Sequence, residues 1–301
     1  MAIVCVGSIA LDTVKTPFGK VREKLGGSAT YFSMAASFFA PVSVVAVIGS
    51  DLKDAKLAPL KARGIDLSGI ERRKGKTFRW SGEYSYDLNV RETIETHLNV
   101  FEEFDPVIRE ELRGFPFVFL GNIDPDLQHR ILDQMISPRL VVTDTMNYWI
   151  SGKRDSLIKL LSRVDILVIN DAEARELSGE YNLLASARWI IDQGPQTVII
   201  KKGEHGALMF RGRSFFSAPG FPLDAVFDPT GAGDSFAGGF VGYLAKTEDL
   251  SEDNLRRAVI YGSTLASFTV EEFGVDKLIE LATDDIEARV RNFRELTHFD
   301  L

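Results

Sequence analysis

The sequence predicts an α/β protein: a doubly wound, mostly parallel sheet flanked by helices, with a small β-strand lid. Short continuous apolar runs recur along the chain, and segments with helical spacing lie between them. This alternation is typical of parallel sheets covered by helices on both faces. Two stretches of β-prone residues interrupt it and predict the lid. With 301 residues, the chain is long enough to bury a large core.

Six apolar runs predict the strands of the main sheet. None alternates with polar residues, which indicates strands that are buried on both faces. The runs lie at 3–6, 42–48, 117–120, 140–142, 166–169 and 197–200. Between them, apolar residues at helical spacing predict helices, including one over 28–39 and one over 181–193.

The lid is predicted from 13–24 and 77–100, and the main domain from 1–12, 25–76 and 101–301. Partial period-two patterning indicates a half-solvated antiparallel piece. Its polar face would carry Thr77, Arg79, Ser81, Glu83, Ser85 and Asp87, and its aromatic face Phe78, Trp80, Tyr84 and Tyr86. A lid would exclude water from a ligand, and its aromatic face would meet that ligand or a second subunit in a homodimer. An ordinary surface hairpin also fits this periodicity.

The composition excludes several classes of protein. A net charge of −8 and a pI near 5.2 argue against a nucleic-acid-binding surface, which needs clustered basic residues. The single cysteine, Cys5, lies inside the first apolar run, so we expect a buried thiol and a cytoplasmic protein. Neither a signal peptide nor a long apolar span is evident, so we expect no membrane contact. The four histidines lack the spacing of zinc ligands.

Polar residues follow each apolar run. They are Gly7 and Asp12; Gly49 and Asp51; Gly121, Asn122 and Asp124; Asp144 and Asn147; Asn170 and Glu173; and Lys201, Lys202 and Gly203. Ligands of open parallel sheets bind outside the carboxyl ends of the strands, so these residues predict a site at one edge. Helix N-caps also favour Asp, Asn and Gly, which is the competing explanation at each position.

The stretch VFDPTGAGDSFAGGF at 226–240 predicts a helix that begins with small residues. Apolar residues recur at helical spacing after it, at Phe236, Phe240, Tyr243 and Leu244. The free amides and positive dipole of a helix start can bind a phosphate, and Gly231, Ala232 and Gly233 let it approach. A carboxylate beside an anion site suits a general base, so Asp234 is the candidate to deprotonate an attacking hydroxyl. A first-turn acid that stabilises the helix dipole is the alternative.

Residues 228–234, Asp-Pro-Thr-Gly-Ala-Gly-Asp, closely resemble the signature of the ribokinase-like, or phosphofructokinase-B, carbohydrate kinase family. The resemblance implies that Asp234 is the catalytic base and that Gly231, Ala232 and Gly233 form the anion hole. It also places Asp228 and Thr230 near the nucleotide and a monovalent cation such as K⁺.

Two further motifs are similar to those of the family. GSIALD and LGGSATYFSMAAS imply that Asp12, Gly26 and Gly27 contact the substrate, where Asp12 would accept hydrogen bonds from hydroxyls. INDAE at 169–173 implies that Asn170 binds the nucleotide and that Asn170 and Glu173 organise Mg²⁺ with ATP. A helix cap followed by a first-turn acid would explain the last pair equally well.

The resemblance extends to the nucleotide site. IIKKGEHGALMF implies that Lys202 and Gly203 lie near the phosphates or ribose, and the segment 258–274 places Ser263 near the adenine. DTMN at 144–147 is similar to a family stretch but lacks its following Arg, with Tyr148 there instead. An unphosphorylated acceptor is therefore favoured.

Three other classes of protein were weighed. A P-loop enzyme fails on spacing, because Ile70 stands where GKT at 75–77 requires a glycine. A dinucleotide-binding oxidoreductase lacks the G-x-G-x-x-G turn. A ligand-sensing member of the fold without turnover is the third. The sequence predicts instead an ATP-dependent, Mg²⁺-requiring kinase that phosphorylates a sugar hydroxyl. A nucleoside acceptor is the alternative, with Phe32, Phe78 and Trp80 as candidates for a base slot.

Overall fold

The computed structural model describes residues 1–298 and contains two β-sheets. The strands, in chain order, are β1 (Ile3–Val6), β2 (Ala10–Thr16), β3 (Gly19–Gly26), β4 (Val42–Gly49), β5 (Asp66–Arg73), β6 (Phe78–Tyr84), β7 (Arg91–His97), β8 (Phe117–Leu120), β9 (Leu140–Asp144), β10 (Ile166–Asn170), β11 (Thr197–Lys201), β12 (Ala207–Arg211) and β13 (Ser214–Ala218). Nine of them form the main sheet, in the spatial order β13-β12-β11-β10-β9-β8-β1-β4-β5. All neighbours pair in parallel except β12 and β13, which return antiparallel at one edge.

Helices cover both faces of the main sheet. They are α1 (Ser28–Ala36), α2 (Ala58–Ala62), α3 (Glu110–Arg113), α4 (Pro125–Gln134), α5 (Asn147–Gly152), α6 (Arg154–Leu161), α7 (Asp171–Ser178), α8 (Leu183–Asp192), α9 (Ala232–Thr247), α10 (Glu252–Thr269), α11 (Asp276–Glu280) and α12 (Thr283–Thr297). Among residues 1–298, none of them combines the length and hydropathy needed to span a membrane.

The core divides into two layers because successive side chains of a strand point to opposite faces. In β1, Ile3 and Cys5 join the layer beneath α1, α9 and α10, whereas Val4 and Val6 join the layer beneath α4, α6 and α8. Each strand of the sheet centre is buried on both sides, which is why its sequence is apolar without alternation.

The predicted doubly wound α/β fold is confirmed, and each of the six apolar runs begins a parallel strand at the predicted residue. The two predicted helices begin at Ser28 and Leu183. The β5 strand was not predicted. It lies at the edge of the sheet and is mostly half-buried or exposed, so its sequence, DLSGIERR, lacks an apolar run.

The second sheet has the spatial order β3-β2-β6-β7. Its strands span 10–26 and 78–97, so they extend past the predicted 13–24 and take in Asp12 and Gly26. The prediction of a purely antiparallel piece was wrong, since β2 and β6 pair in parallel. Both strands continue the chain from parallel strands of the main sheet, β1 and β5, and therefore run in the same direction.

The two faces of the second sheet differ as the alternation predicts, with two exceptions. Asp12 and Trp80 are register partners on one face, and Lys15 and Glu83 form a 2.6 Å ion pair on the other. Thr77, predicted on the solvated face, is fully buried at the root of the sheet, where it donates to Asp51. Tyr86, predicted on the aromatic face, lies beyond β6 and is 87% exposed.

Candidate active site

The carboxyl ends of three neighbouring strands meet the start of α9. Asp144 ends β9 and Lys201 ends β11, with Asn170 between them as the last residue of β10. The Lys201 ammonium lies 3.3 Å from a carboxylate oxygen of Asp144. Asp234 lies in the first turn of α9, and its pKa responds to both of these charges. The predicted clustering of polar groups at one sheet edge therefore holds for these strands.

Two glycines stand at the start of α9. Gly231 caps the helix in the left-handed conformation, with φ of 78°, and a Cβ there would lie 2.3 Å from the Tyr31 ring. A Cβ on Gly233 would lie 2.7 Å from Nζ of Lys201. The first-turn amides have no intrahelical partners, although Ala232 donates its N–H to the Pro229 carbonyl at 3.2 Å. The predicted anion hole of Gly231, Ala232 and Gly233 thus carries no side chain at its two glycines, but the Ala232 amide already donates a hydrogen bond within the chain.

Asp234 is a carboxyl group with unusual electrostatics. Burial and the nearby carboxylate of Asp144 raise its pKa to about 7, against the opposing effect of Lys201 and Arg91. A carboxylate with a pKa near neutrality can accept a proton more readily than an ordinary Asp. Asp234 therefore lies at the start of α9 and also has the basicity that proton abstraction requires.

Asn170 and Glu173 form a capping box at the start of α7. The Asn170 side chain accepts the Glu173 N–H at 2.8 Å, and the Glu173 carboxylate accepts the Asn170 N–H at 3.1 Å. Burial, and then the Asp144 carboxylate, raise the pKa of Glu173 to about 7. The helix cap weighed from the sequence is therefore present, and it holds the carboxylate beside the other charged groups.

Asp12 lies on β2 and is 5% exposed. A Cβ on Gly26 would stand 1.9 Å from one of its oxygens, and Gly27, with φ of 91°, packs against the Ser8 carbonyl. Burial, followed by the Asp228 carboxylate, raises the pKa of Asp12 to about 7, while the Gly27 N–H opposes this shift. Gly26 thus leaves room for the Asp12 side chain, and Asp12 lies close enough to Asp234 for that charge to raise its pKa as well.

The second sheet contacts the α9 loop directly. The Thr230 hydroxyl donates to the Tyr84 hydroxyl oxygen at 3.2 Å. Asp228, 1% exposed, accepts N–H groups from Thr230 at 2.9 Å and from Gly274 at 3.3 Å. Arg91, the register partner of Tyr84, is exposed, yet its charge lowers the pKa values of Asp12, Glu173 and Asp234. The sheet therefore brings a cation and a phenol to the carboxylates.

The three other residues predicted at the nucleotide site are Lys202, Gly203 and Ser263. Lys202 is half-buried, and its N–H donates to the Gly206 carbonyl. Gly203 packs against the loop after β6, where a Cβ would meet the Asn89 amide oxygen at 1.8 Å. A cleft of about 540 Å³ lies beside it, lined by 86–89 and by Glu204 and His205. Ser263 is buried in α10, one residue after Gly262, which packs against the Phe236 carbonyl of α9.

The sequence assigned no role to three charged residues of the cluster: Asp144, Lys201 and Arg91. For Lys201, a signal existed. Ile199, two residues earlier, belongs to the core layer beneath α9, so alternation along β11 directs residue 201 toward α9 and residue 202 away. Arg91 carries no such signal, because its place opposite the carboxylates depends on how the two sheets face one another.

The chain matches a family model described as pfkB family carbohydrate kinase over residues 2–281. It is 30% identical over 257 residues to a cytidine kinase of Thermococcus kodakarensis, covering 83% of this chain and 91% of that protein. The fold is similar to that of a Methanocaldococcus jannaschii nucleoside kinase, with a TM-score of 0.77 and 20% identity over 97% of this chain and 98% of that one.

A second similar structure, from E. coli, was solved with ATP and Mg²⁺; it has a TM-score of 0.79 and 18% identity over 96% of this chain and 99% of that one. A third is a Burkholderia thailandensis nucleoside kinase in complex with inosine, with a TM-score of 0.78 and 17% identity over 97% of both chains.

Proposed function

This chain belongs to the pfkB family of carbohydrate kinases, and from that premise we propose that it transfers the γ-phosphoryl group of ATP to a primary hydroxyl of a nucleoside. The observation that carries the proposal is the position of Asp234, with a pKa near 7, at a helix start with glycine at residues 231 and 233. A ligand-sensing protein without turnover would need no such basic carboxylate there.

A nucleoside is preferred to the free sugar expected from the sequence for two reasons. A relative that covers 83% of this chain is a cytidine kinase. Trp80 also stands beside Asp12 in the second sheet, and a Cβ on Gly82 would lie 2.2 Å from its indole ring. The ring therefore lies flat along the strand, where it can stack on a base while Asp12 accepts hydrogen bonds from the ribose.

In the transfer step, Asp234 accepts the proton of the acceptor hydroxyl as the oxygen attacks the γ-phosphorus. The new O–P bond forms as the bond to the ADP oxygen breaks. The amides of Gly233 and Asp234 at the start of α9 hydrogen-bond the transferring group and stabilise its charge. The Tyr84–Thr230 hydrogen bond holds the second sheet over the site, where it would exclude water.

The donor set fits a bound Mg²⁺. The Asp144 carboxylate lies close enough to Glu173 and Asp234 to raise the pKa of both, so negatively charged oxygen donors gather at this point. Mg²⁺ supplies charge neutralisation to the phosphates when it is bound. Glu173 and Asn170 would hold it, through water, because each already uses one side-chain oxygen in the cap.

A monovalent cation is proposed beside Asp228 and Thr230. Burial raises the pKa of Asp228 even though two N–H groups bind its oxygens. A cation there would compensate the buried charge. Dependence of turnover on K⁺ tests this point.

Turnover should depend on pH through the general base. Asp234 acts only when deprotonated, so kcat/KM should rise with pH and level off above a midpoint near 7. Asp12 and Glu173 share this range, so the midpoint belongs to the coupled group. The measurement is kcat/KM between about pH 5.5 and about pH 8.5, repeated on Asp12→Asn. A kcat/KM of the wild type that does not change with pH would contradict the assignment of Asp234 as the general base. So would a rise with pH that is lost in Asp12→Asn.

Trp80→Ala should separate the two acceptor classes. Loss of stacking is expected to raise KM for a nucleoside by about tenfold, since base–aromatic stacking contributes about 1–3 kcal/mol. KM for ATP should change by less than about threefold. The experiment measures ADP release with cytidine, uridine, adenosine, inosine, ribose and fructose. Trp189→Ala, on the distant helix α8, is the matched control. Activity with sugars alone, unaffected by Trp80→Ala, would refute the nucleoside assignment.

A further inference from the structure

We propose that Lys201 is a further catalytic residue, whose ammonium contacts the phosphoryl group as it is transferred, and that Asp144 is its positioning residue. This inference rests on the proposed kinase function and identifies a group within the same site. The family signature at 228–234 and the Asn170 and Glu173 motif do not include this lysine, and in the stretch IIKKGEHGALMF the resemblance assigned the nucleotide contact to Lys202 and Gly203 instead.

The position of the ammonium carries the inference. Nζ of Lys201 lies within 2.7 Å of the point where a Cβ of Gly233 would stand, directly against the first turn of α9. It is held there by Asp144, 3.3 Å away. The side chains are 18% and 8% exposed, so the ion pair is nearly enclosed. A side chain at residue 233 would therefore have to displace this ammonium.

An ammonium at this place is electrostatically unusual. The start of a helix carries partial positive charge, which disfavours a nearby cation, and burial of an ammonium adds a desolvation cost. Although burial lowers the pKa of Lys201, the carboxylates of Asp144, Glu173 and Asp234 outweigh it and raise the pKa, so the group is charged. Two sources of positive charge thus converge on one point, and an anion bound there is attracted to both.

The alternative is that Lys201 only neutralises the buried Asp144 carboxylate. That role requires the ion pair, but it does not require Nζ to lie against Gly233 at the start of α9. Lys159, which is exposed on α6, supplies a control of the same residue type.

Lys201→Met should lower kcat by about 10²–10³-fold, the usual effect of removing one donor to a developing charge. KM for the acceptor should change by less than about threefold, and Lys159→Met should leave kcat within about threefold of the wild type. Lys201→Met leaves the Asp144 carboxylate buried without its cationic partner. It should therefore be compared with the double variant Asp144→Asn/Lys201→Met, which removes both charges of the ion pair. If Lys201 contacts the phosphoryl group, this double variant stays as slow as Lys201→Met. Recovery of wild-type turnover in it would overturn the proposal.

Nucleotide binding provides a readout that needs no turnover. The double variant should bind ATP about tenfold more weakly than the wild type does, and ADP within about twofold, since only ATP carries the transferable group. Equal losses for ATP and ADP, or none for either, would overturn the proposal. If the wild type turns over no acceptor but the double variant still shows this ATP-specific loss, the proposed function is contradicted and the contact of Lys201 with the phosphoryl group is supported.

Discussion

Asp234→Asn is expected to lower kcat by at least about 10²-fold, because general-base catalysis contributes about 10²–10⁴-fold. Asn keeps the shape of the side chain but cannot accept the proton of the acceptor hydroxyl. ADP affinity should stay within about threefold of the wild type, since the variant leaves the amides of α9 in place. A large effect is expected because burial and Asp144 raise the pKa of Asp234 to about 7, and Asp234 lies in the first turn of α9.

The measurement is steady-state kcat with a saturating acceptor, together with ADP binding by calorimetry. Asp224→Asn is the matched control, because Asp224 is exposed in the loop before the motif and should tolerate the change without loss of turnover. A turnover of Asp234→Asn within about threefold of the control would remove Asp234 from the mechanism.

Gly231→Ala is expected to destabilise the protein by about 2–5 kcal/mol and to slow turnover. An alanine at φ of 78° carries a conformational cost of about 1–2 kcal/mol. Its Cβ would also stand 2.3 Å from the buried Tyr31 ring, and overpacking of this kind costs about a further 1–3 kcal/mol. Relief of that clash must shift the start of α9, and misplacement of a site by about 1 Å can cost about 10²-fold in rate.

Chemical denaturation measures the free energy of unfolding of Gly231→Ala and of a closely matched control, Gly64→Ala. Gly64 has nearly the same backbone conformation, with φ of 71°, but a Cβ there would meet nothing within 4 Å. Gly64→Ala should therefore show only the conformational cost of about 1–2 kcal/mol. Equal free energies of unfolding for the two variants would show that Tyr31 does not crowd residue 231.

The sheet was predictable from the sequence where burial on both faces imposed it. The runs at 3–6 and 117–120 are apolar throughout because helices cover both sides of β1 and β8. The edge strand β5 was missed because partial exposure leaves it without an apolar run. The parallel pairing of β2 with β6 was missed because it depends on the direction in which each strand leaves the main sheet, which short-range periodicity does not encode.

The site was predictable where a local backbone requirement dictated the residues. Gly231 needs a left-handed backbone and Gly26 needs to clear the Asp12 carboxylate, and both requirements leave glycines in the sequence. Charges that meet through tertiary structure were harder to assign. Lys201 is the last residue of β11, yet Lys202 was the lysine predicted from the sequence, and the charge of Arg91 acts on the carboxylates only through the packing of the second sheet.

The most direct measurement is a crystal structure of the wild-type enzyme with a nucleoside and a non-hydrolysable ATP analogue. The account predicts an Asp234 oxygen about 2.6–3.2 Å from the primary hydroxyl, the reach of a hydrogen bond. It also predicts the γ-phosphoryl group of the analogue on the amides of Gly233 and Asp234. A nucleoside hydroxyl far from Asp234, or a γ-phosphoryl group bound away from the start of α9, would contradict it.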